Sequence, residues 1–260
     1  MGSKMKTRRD FMKSLGVAAS TLVSLPHILK AENEIAPKKE SGDKKEMVFL
    51  FQGDSITDGN RTRDYDWNHV MGHGYAYLIA SRLWFDYPQQ GLMFYNRGIS
   101  GNRVSDLVAR WQTDTLDLNP DVLSILIGVN DTMAVVKNWA PDPIEKFEAD
   151  YRKILDQTLE QKPETLIILC EPFILPLGWV EENPELWQTE LKKRQEVTRR
   201  IVADYKTLFL PLQQIFNDAC KIAPANYWIW DGVHPMPAGH ELIAREWIKV
   251  VGKKLSFLKR

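Results

Sequence analysis

The stretch Phe49-Leu50-Phe51-Gln52-Gly53-Asp54-Ser55-Ile56-Thr57-Asp58-Gly59 decides how this chain is read. Residues 47–51 form an apolar run with the length and composition of a strand covered on both faces. The run then breaks into small and acidic residues, with one serine at the break. Gly53 and Gly59 supply the backbone freedom a sharp exit needs. The stretch therefore predicts a buried strand that delivers a nucleophile to an exposed turn.

Downstream, residues 92–95, 122–127, 166–170 and 208–210 read as further strands, separated by segments of helical period. Val104, Leu107, Val108 and Trp111 share one helix face; so do Ile144, Phe147, Tyr151, Ile154 and Leu155, and, near the end, Ile243, Trp247, Val250 and Val251. Pro143 and Pro237 stand where helices can start. Five strands alternating with helices predict an α/β fold with a parallel sheet covered on both faces. The long connections 56–74 and 171–190 leave the carboxyl ends of strands, where open α/β sheets place ligands. They hold Tyr65, Trp67, His69, His73, Phe173, Trp179 and Trp187, and Trp228 and Trp230 lie further on.

The 260 residues are 44% hydrophobic and 10% aromatic, enough for a substantial core, with a formal net charge of +0. Residues 1–46 carry 10 Lys and Arg against 6 Asp and Glu, which leaves about −4 on the remainder and no electrostatic case for nucleic acid or an anionic membrane. Thr7-Arg8-Arg9-Asp10-Phe11-Met12-Lys13 and the mainly apolar stretch 15–29 match a twin-arginine export signal, expected over residues 1–30. Lys13, Pro26 and His27 leave fewer than the ~18 uninterrupted apolar residues of a membrane anchor, so a periplasmic or extracellular protein with no stable membrane association after signal removal is expected. The charged segment 31–46 reads as a disordered linker, and the folded domain is expected over 47–260. Cys170 and Cys220 could pair in an oxidising compartment, although Cys170, at the end of an apolar run, reads better as a small buried hydrophobe.

Serine needs a base to accept its proton. Of the five histidines, His234 stands out in Asp231-Gly232-Val233-His234-Pro235, just before a helix. An aspartate three residues before a histidine can hold the imidazole Nδ1 and leave Nε2 to accept the serine proton. Acyl transfer also needs donors for an oxyanion, and two segments at strand ends offer them: Gly98-Ile99-Ser100-Gly101-Asn102 and Gly128-Val129-Asn130-Asp131.

These motifs together resemble the SGNH hydrolases of the GDSL esterase superfamily. Gly53-Asp54-Ser55, Gly101, Gly128-x-Asn130-Asp131 and Asp231-x-x-His234 are similar to four separated blocks of that family, in family order, over residues 47–254. The resemblance implies a three-layer α/β/α sandwich with a flavodoxin-like five-stranded parallel sheet. It implies Ser55 as nucleophile, His234 as base and Asp231 as its orienter, and an oxyanion hole from the Ser55 and Gly101 N–H groups and the Asn130 amide, with Gly98 as a nearby alternative to Gly101. Asp54 is expected to serve the turn through hydrogen bonding. The nucleophile block reads Gly-Asp-Ser-Ile, a variant that resembles the branch containing bacterial carbohydrate esterases.

The function expected is an exported serine esterase that removes O-acetyl or another short acyl group from carbohydrate, its partner an acylated small-molecule or polysaccharide substrate. Trp67, Trp179, Trp228 and Trp230 are candidate sugar-stacking residues, with core or loop anchoring as the competing role. A lysophospholipase or thioesterase would use the same machinery on longer chains. A carbohydrate-binding protein on a retired hydrolase scaffold is the alternative from another class, disfavoured by the intact Ser55, Asp231 and His234. No cofactor is expected: Asp231 and His234 have no third ligand at metal-site spacing, His69 and His73 lack the metalloprotease glutamate, Gly72-His73-Gly74 is no dinucleotide fingerprint, and there is no phosphate loop.

Overall fold

The computed structural model describes residues 46–258 except 65 and 67. The export signal expected over residues 1–30, residues 31–45 of the expected linker, and Trp67 lie outside the described residues. Five parallel strands form one sheet: β1 (Met47–Gly53), β2 (Leu92–Asn96), β3 (Val122–Leu126), β4 (Leu166–Cys170) and β5 (Leu208–Leu210), in the order β2-β1-β3-β4-β5. This is the flavodoxin-like order, in which the chain reverses direction across the sheet between β1 and β3. The observed strands match the expected runs to within two residues, and β1 extends through Gln52 to Gly53. Gln52 is tolerated in a buried strand because its amide donates to Asp114 O and Thr115 Oγ1 of a π turn (Gln112–Leu116).

Alternation along β1 feeds two cores. Phe49 and Phe51 join a cluster with Tyr75, Phe94 and Trp247, on the face covered by α2 (Tyr75–Asp86) and α9 (Pro237–Gly252). Leu50 joins the other cluster with Leu107, Trp111, Ile154 and Ile201, supplied by α3 (Val104–Trp111), α5 (Ile144–Gln161) and α6 (Pro184–Tyr205). The short α1 (Ser55–Asp58) follows β1 directly and α4 (Val129–Val136) follows β3; α7 (Leu212–Ala219) follows β5, and α8 (Ala225–Trp228) precedes the last loop. Pro143 caps α5 and Pro237 begins α9, as their missing N–H groups favour.

The connection 171–190 is shorter than the sequence suggests. Asn183 accepts the Leu186 N–H at 3.3 Å and Pro184 sits in the first turn, so α6 begins inside it. Trp187 consequently points into the core, fully buried, and Phe173 stacks on Phe216 at 4.4 Å. Neither lines a substrate wall.

Trp247 joins the layers: its ring lies 5.5 Å from that of Phe51 and its Nε1 donates to Ser124 Oγ at 3.0 Å. Trp247→Ala should lower the unfolding free energy by about 3–5 kcal/mol in urea denaturation. A loss below about 1 kcal/mol would contradict this packing.

Candidate active site

Strand β1 leaves the sheet where no side chain fits. A Cβ at Gly53 would meet Leu126 O and Thr57 Oγ1, both at 2.3 Å. Asp54 then caps α1 by accepting the Ile56 N–H at 3.0 Å, which makes Ser55 the first helical residue. Burial pushes the Asp54 carboxyl up to about 7, against the opposing pull of the Ile56 N–H and of His234. Asp54 thus has the turn-building contact expected of it.

The segment after α8 brings the histidine to this turn. Asp231 Oδ1 accepts the backbone N–H groups of His234 (2.7 Å) and Val233 (3.0 Å), and Oδ2 lies 2.6 Å from His234 Nδ1. The loop is fastened to its neighbour by Leu175 N–H to Gly232 O (2.9 Å) and Trp179 N–H to Asp231 O (3.0 Å). His234 Nε2 comes within 2.8 Å of Ser55 Oγ. With Nδ1 protonated toward the carboxylate, Nε2 is the acceptor and Ser55 the donor. Although burial disfavours charge on both partners, the hydrogen bonds to His234 and Val233 hold the Asp231 carboxyl below its usual range. Burial likewise opposes the imidazolium of His234, but the Asp231 hydrogen bond and charge, with a smaller contribution from Asp54, raise its pKa above 6.5.

Among the oxyanion-donor candidates, Gly98 is already committed. Its N–H donates to Asn96 Oδ1 at 2.9 Å, and its Cα packs so closely on α1 that a Cβ would lie 2.3 Å from Asp58 N. Gly101 has a φ of +83° with open space beside it. Among the described residues neither its N–H nor that of Ser55 has a partner. Asn130, in the first turn of α4, donates one amide hydrogen to Asn102 O at 3.1 Å and keeps the other available.

Asp58, not singled out in the sequence, connects the nucleophile turn to the loop that carries Gly101. Its Oδ2 accepts from Ser100 N (3.0 Å) and Arg63 Nη2 (2.6 Å), and its Oδ1 from Arg61 N (3.1 Å). An acid between a nucleophile turn and two arginines is the sequence signal that could have found it.

Ser55, Asn60, His73, Trp230, His234 and His240 wall a cavity of about 230 Å³. Cavities of about 440 and 350 Å³ exist elsewhere, but this one holds the serine and histidine. Trp230 is 62% exposed and lies nearly parallel to His234, ring centroids 6.2 Å apart, while Trp179 meets the same imidazole edge-on at 5.8 Å. Trp228 is not part of the wall: its indole donates to Ala219 O (3.1 Å) and Ala223 O (3.2 Å) and anchors α8. His69 sits apart in an exposed pair with Asp66 at 2.6 Å. His240 accepts the Tyr75 N–H on Nδ1 (3.2 Å); burial, with His73 and His234 nearby, lowers its pKa to about 4 and keeps it neutral. Cys170 and Cys220 are both free. Among the described residues there is no group of three metal-ligating side chains and no helix long and apolar enough to cross a membrane.

Residues 51–242 match the GDSL-like lipase/acylhydrolase family. The chain is 34% identical over 220 residues to an acetylxylan esterase of Geobacillus stearothermophilus, covering 82% of this chain and 95% of that one. Among solved structures, one described as a GDSL-like lipase from Parabacteroides merdae has a TM-score of 0.76 at 41% identity, covering 81% of this chain and 97% of its own. The Geobacillus acetylxylan esterase has a TM-score of 0.69 at 33% identity, covering 79% and 94%. Catalytic mutants of that esterase alter a serine, an aspartate and a histidine with the mutual spacings of Ser55, Asp231 and His234. Another variant alters the tryptophan just before that aspartate, the place of Trp230 here. With its five-stranded α/β/α fold, this chain belongs to the GDSL-like lipase/acylhydrolase family and is a serine esterase acting on carboxylic ester bonds.

Proposed function

We propose that the protein is an exported esterase that removes O-acetyl groups from carbohydrate through a Ser55–His234–Asp231 triad. The observation that carries this reading is the unbroken hydrogen-bond chain from Ser55 Oγ through His234 to Asp231, opening on a small cavity beside an exposed indole. A volume of about 230 Å³ suits an acetyl group better than a long acyl chain. The exposed face of Trp230 offers the apolar surface on which a sugar ring stacks. Export rests on Arg8, Arg9 and the apolar stretch after them.

In this reading Ser55 Oγ attacks the ester carbonyl as His234 Nε2 takes its proton. The oxyanion is held by the N–H groups of Ser55 and Gly101 and the free amide hydrogen of Asn130. The imidazolium, stabilised by Asp231, protonates the sugar oxygen as its bond to the acyl carbon breaks, and water activated by His234 then releases acetate from Ser55. The substrate is an acetylated glycan or oligosaccharide.

Acetate release from acetylated polysaccharides and oligosaccharides, with Ser55→Ala as control, tests the substrate class. Wild type should release acetate and the variant none; inert glycans alongside cleavage of long-chain acyl esters would replace this reading with a lipid or thioester hydrolase. Asn130→Ala should lower kcat on p-nitrophenyl acetate by about 10²–10³-fold with the fold retained. Near-normal turnover would remove Asn130 from the hole. Because His234 must be neutral to accept a proton, the rate should fall as pH drops through a pKa above 6.5. Asp231→Asn removes the charge that raises that pKa, so the acid limb should move to lower pH while kcat falls by about 10⁴-fold. An unmoved limb would contradict the pairing.

A further inference from the structure

A cavity of about 350 Å³ lies across the turn that also borders the catalytic cavity. Gly59 and Asn60 line the latter, and Arg61, Thr62, Arg63, Tyr95 and Arg97 line the former. Three guanidiniums share this pocket, and their partners are unequal. Arg63 is neutralised by Asp58 at 2.6 Å. Arg61 is only 7% exposed; its Nε donates to Gly98 O (2.9 Å) and its Nη1 reaches Thr62 O at a long 3.5 Å, both neutral acceptors. Arg97 places its guanidinium 5.7 Å from the Tyr95 ring centroid, with its Nε buried and, among the described residues, without a hydrogen-bond partner. The hydroxyl of Thr62 is likewise buried and, among the described residues, unpartnered.

Among the described residues neither Arg61 nor Arg97 forms an ion pair. The remaining acid on the wall, Asp64, is exposed and accepts the backbone N–H of Asp66. Burial, then repulsion from Arg63 and Arg97, lowers the Arg61 pKa to about 10 despite the compensating pull of Asp58 and Asp114. A buried charge that no acid touches directly is costly, and a hydrogen-bond donor left bare beside it adds to the cost. Both costs fall when an anion with several acceptor oxygens enters, since guanidinium forks match carboxylate and phosphate oxygens.

We propose that this pocket binds a compact oxyanion, a carboxylate or a phosphate group, through Arg61 and Arg97 with the Thr62 hydroxyl as a further donor. The two sources share that chemistry: a sugar acid would accompany the glycan substrate proposed above, and inorganic phosphate carries no sugar. The site itself rests on the pocket and not on the esterase reading, so a failure of either leaves the other standing.

Titration calorimetry on the full chain at low ionic strength, with inorganic phosphate, galacturonate and galactose, tests it. At least one anion should saturate a single site while neutral galactose does not bind. Arg97→Gln should weaken that affinity at least tenfold, and added salt should weaken it too. Tighter binding of galacturonate than phosphate assigns the site to a sugar acid; the reverse assigns it to phosphate. Circular dichroism checks the variant's fold, and Arg61→Lys, which keeps the charge but loses the fork, should also bind more weakly if Arg97→Gln is unfolded. Absence of binding by both anions, equal binding of galactose, or unchanged affinity in the folded variants would overturn the proposal.

Discussion

The close approach of β1 to β3 at Gly53 is the constraint from which the site is built. The carbonyl of Leu126 and the hydroxyl of Thr57 occupy the space a side chain would need, so the chain can only turn outward there. Residues at the ends of β1 and β3 therefore rise from the same edge of the sheet, and Ser55 and Asn130 stand in the first turns of the helices that follow. The loop after β2 reaches the same edge, tied down by Asn96, Arg61 and Asp58. A parallel sheet with its central strands buried on both faces holds these three segments rigidly, as a reaction that depends on fixed donors requires.

Electrostatics divides the two aspartates nearest His234. Asp231 accepts three hydrogen bonds and stays ionised despite burial, whereas Asp54 accepts one and is pushed up to about 7. Deeper burial drives Asp54 upward, while the larger number of N–H groups aimed at Asp231 outweighs the burial of that carboxylate. One aspartate is thereby suited to orient and charge the imidazole, and the other to hold a turn. His240 lines the catalytic cavity beside His234 without a carboxylate to stabilise its charge, and it remains neutral. Three ionisable groups around His234 thus differ in state for identifiable local reasons.

Much of this was legible in the chain. The strands were readable because each is a short apolar run, and Ser55 because it stands where the first run breaks. Asp231 and His234 were readable because their contact is local, three residues apart. What escaped depends on distant partners or on local capping. The start of α6 was hidden in an apparent loop, although Asn183-Pro184 is a helix-start signal, and Trp187 was misplaced with it. Trp228 looked like Trp230 in sequence; carbonyls five and nine residues earlier hold the first indole, while the second stays open to solvent. Gly98 and Gly101 could be separated only once Asn96 was seen to occupy the Gly98 N–H. The arginine pocket assembles from the turn after α1 and the end of β2, about 35 residues apart in sequence, and only the fold brings them together.

The central claim is that Ser55 is the nucleophile activated through His234. Labelling the protein with a fluorophosphonate, which phosphonylates only an activated serine, and locating the adduct by peptide mass spectrometry tests this most directly. One adduct on the peptide carrying Ser55, lost in His234→Ala, is the predicted result. An adduct on another residue, or undiminished labelling in His234→Ala, would contradict it.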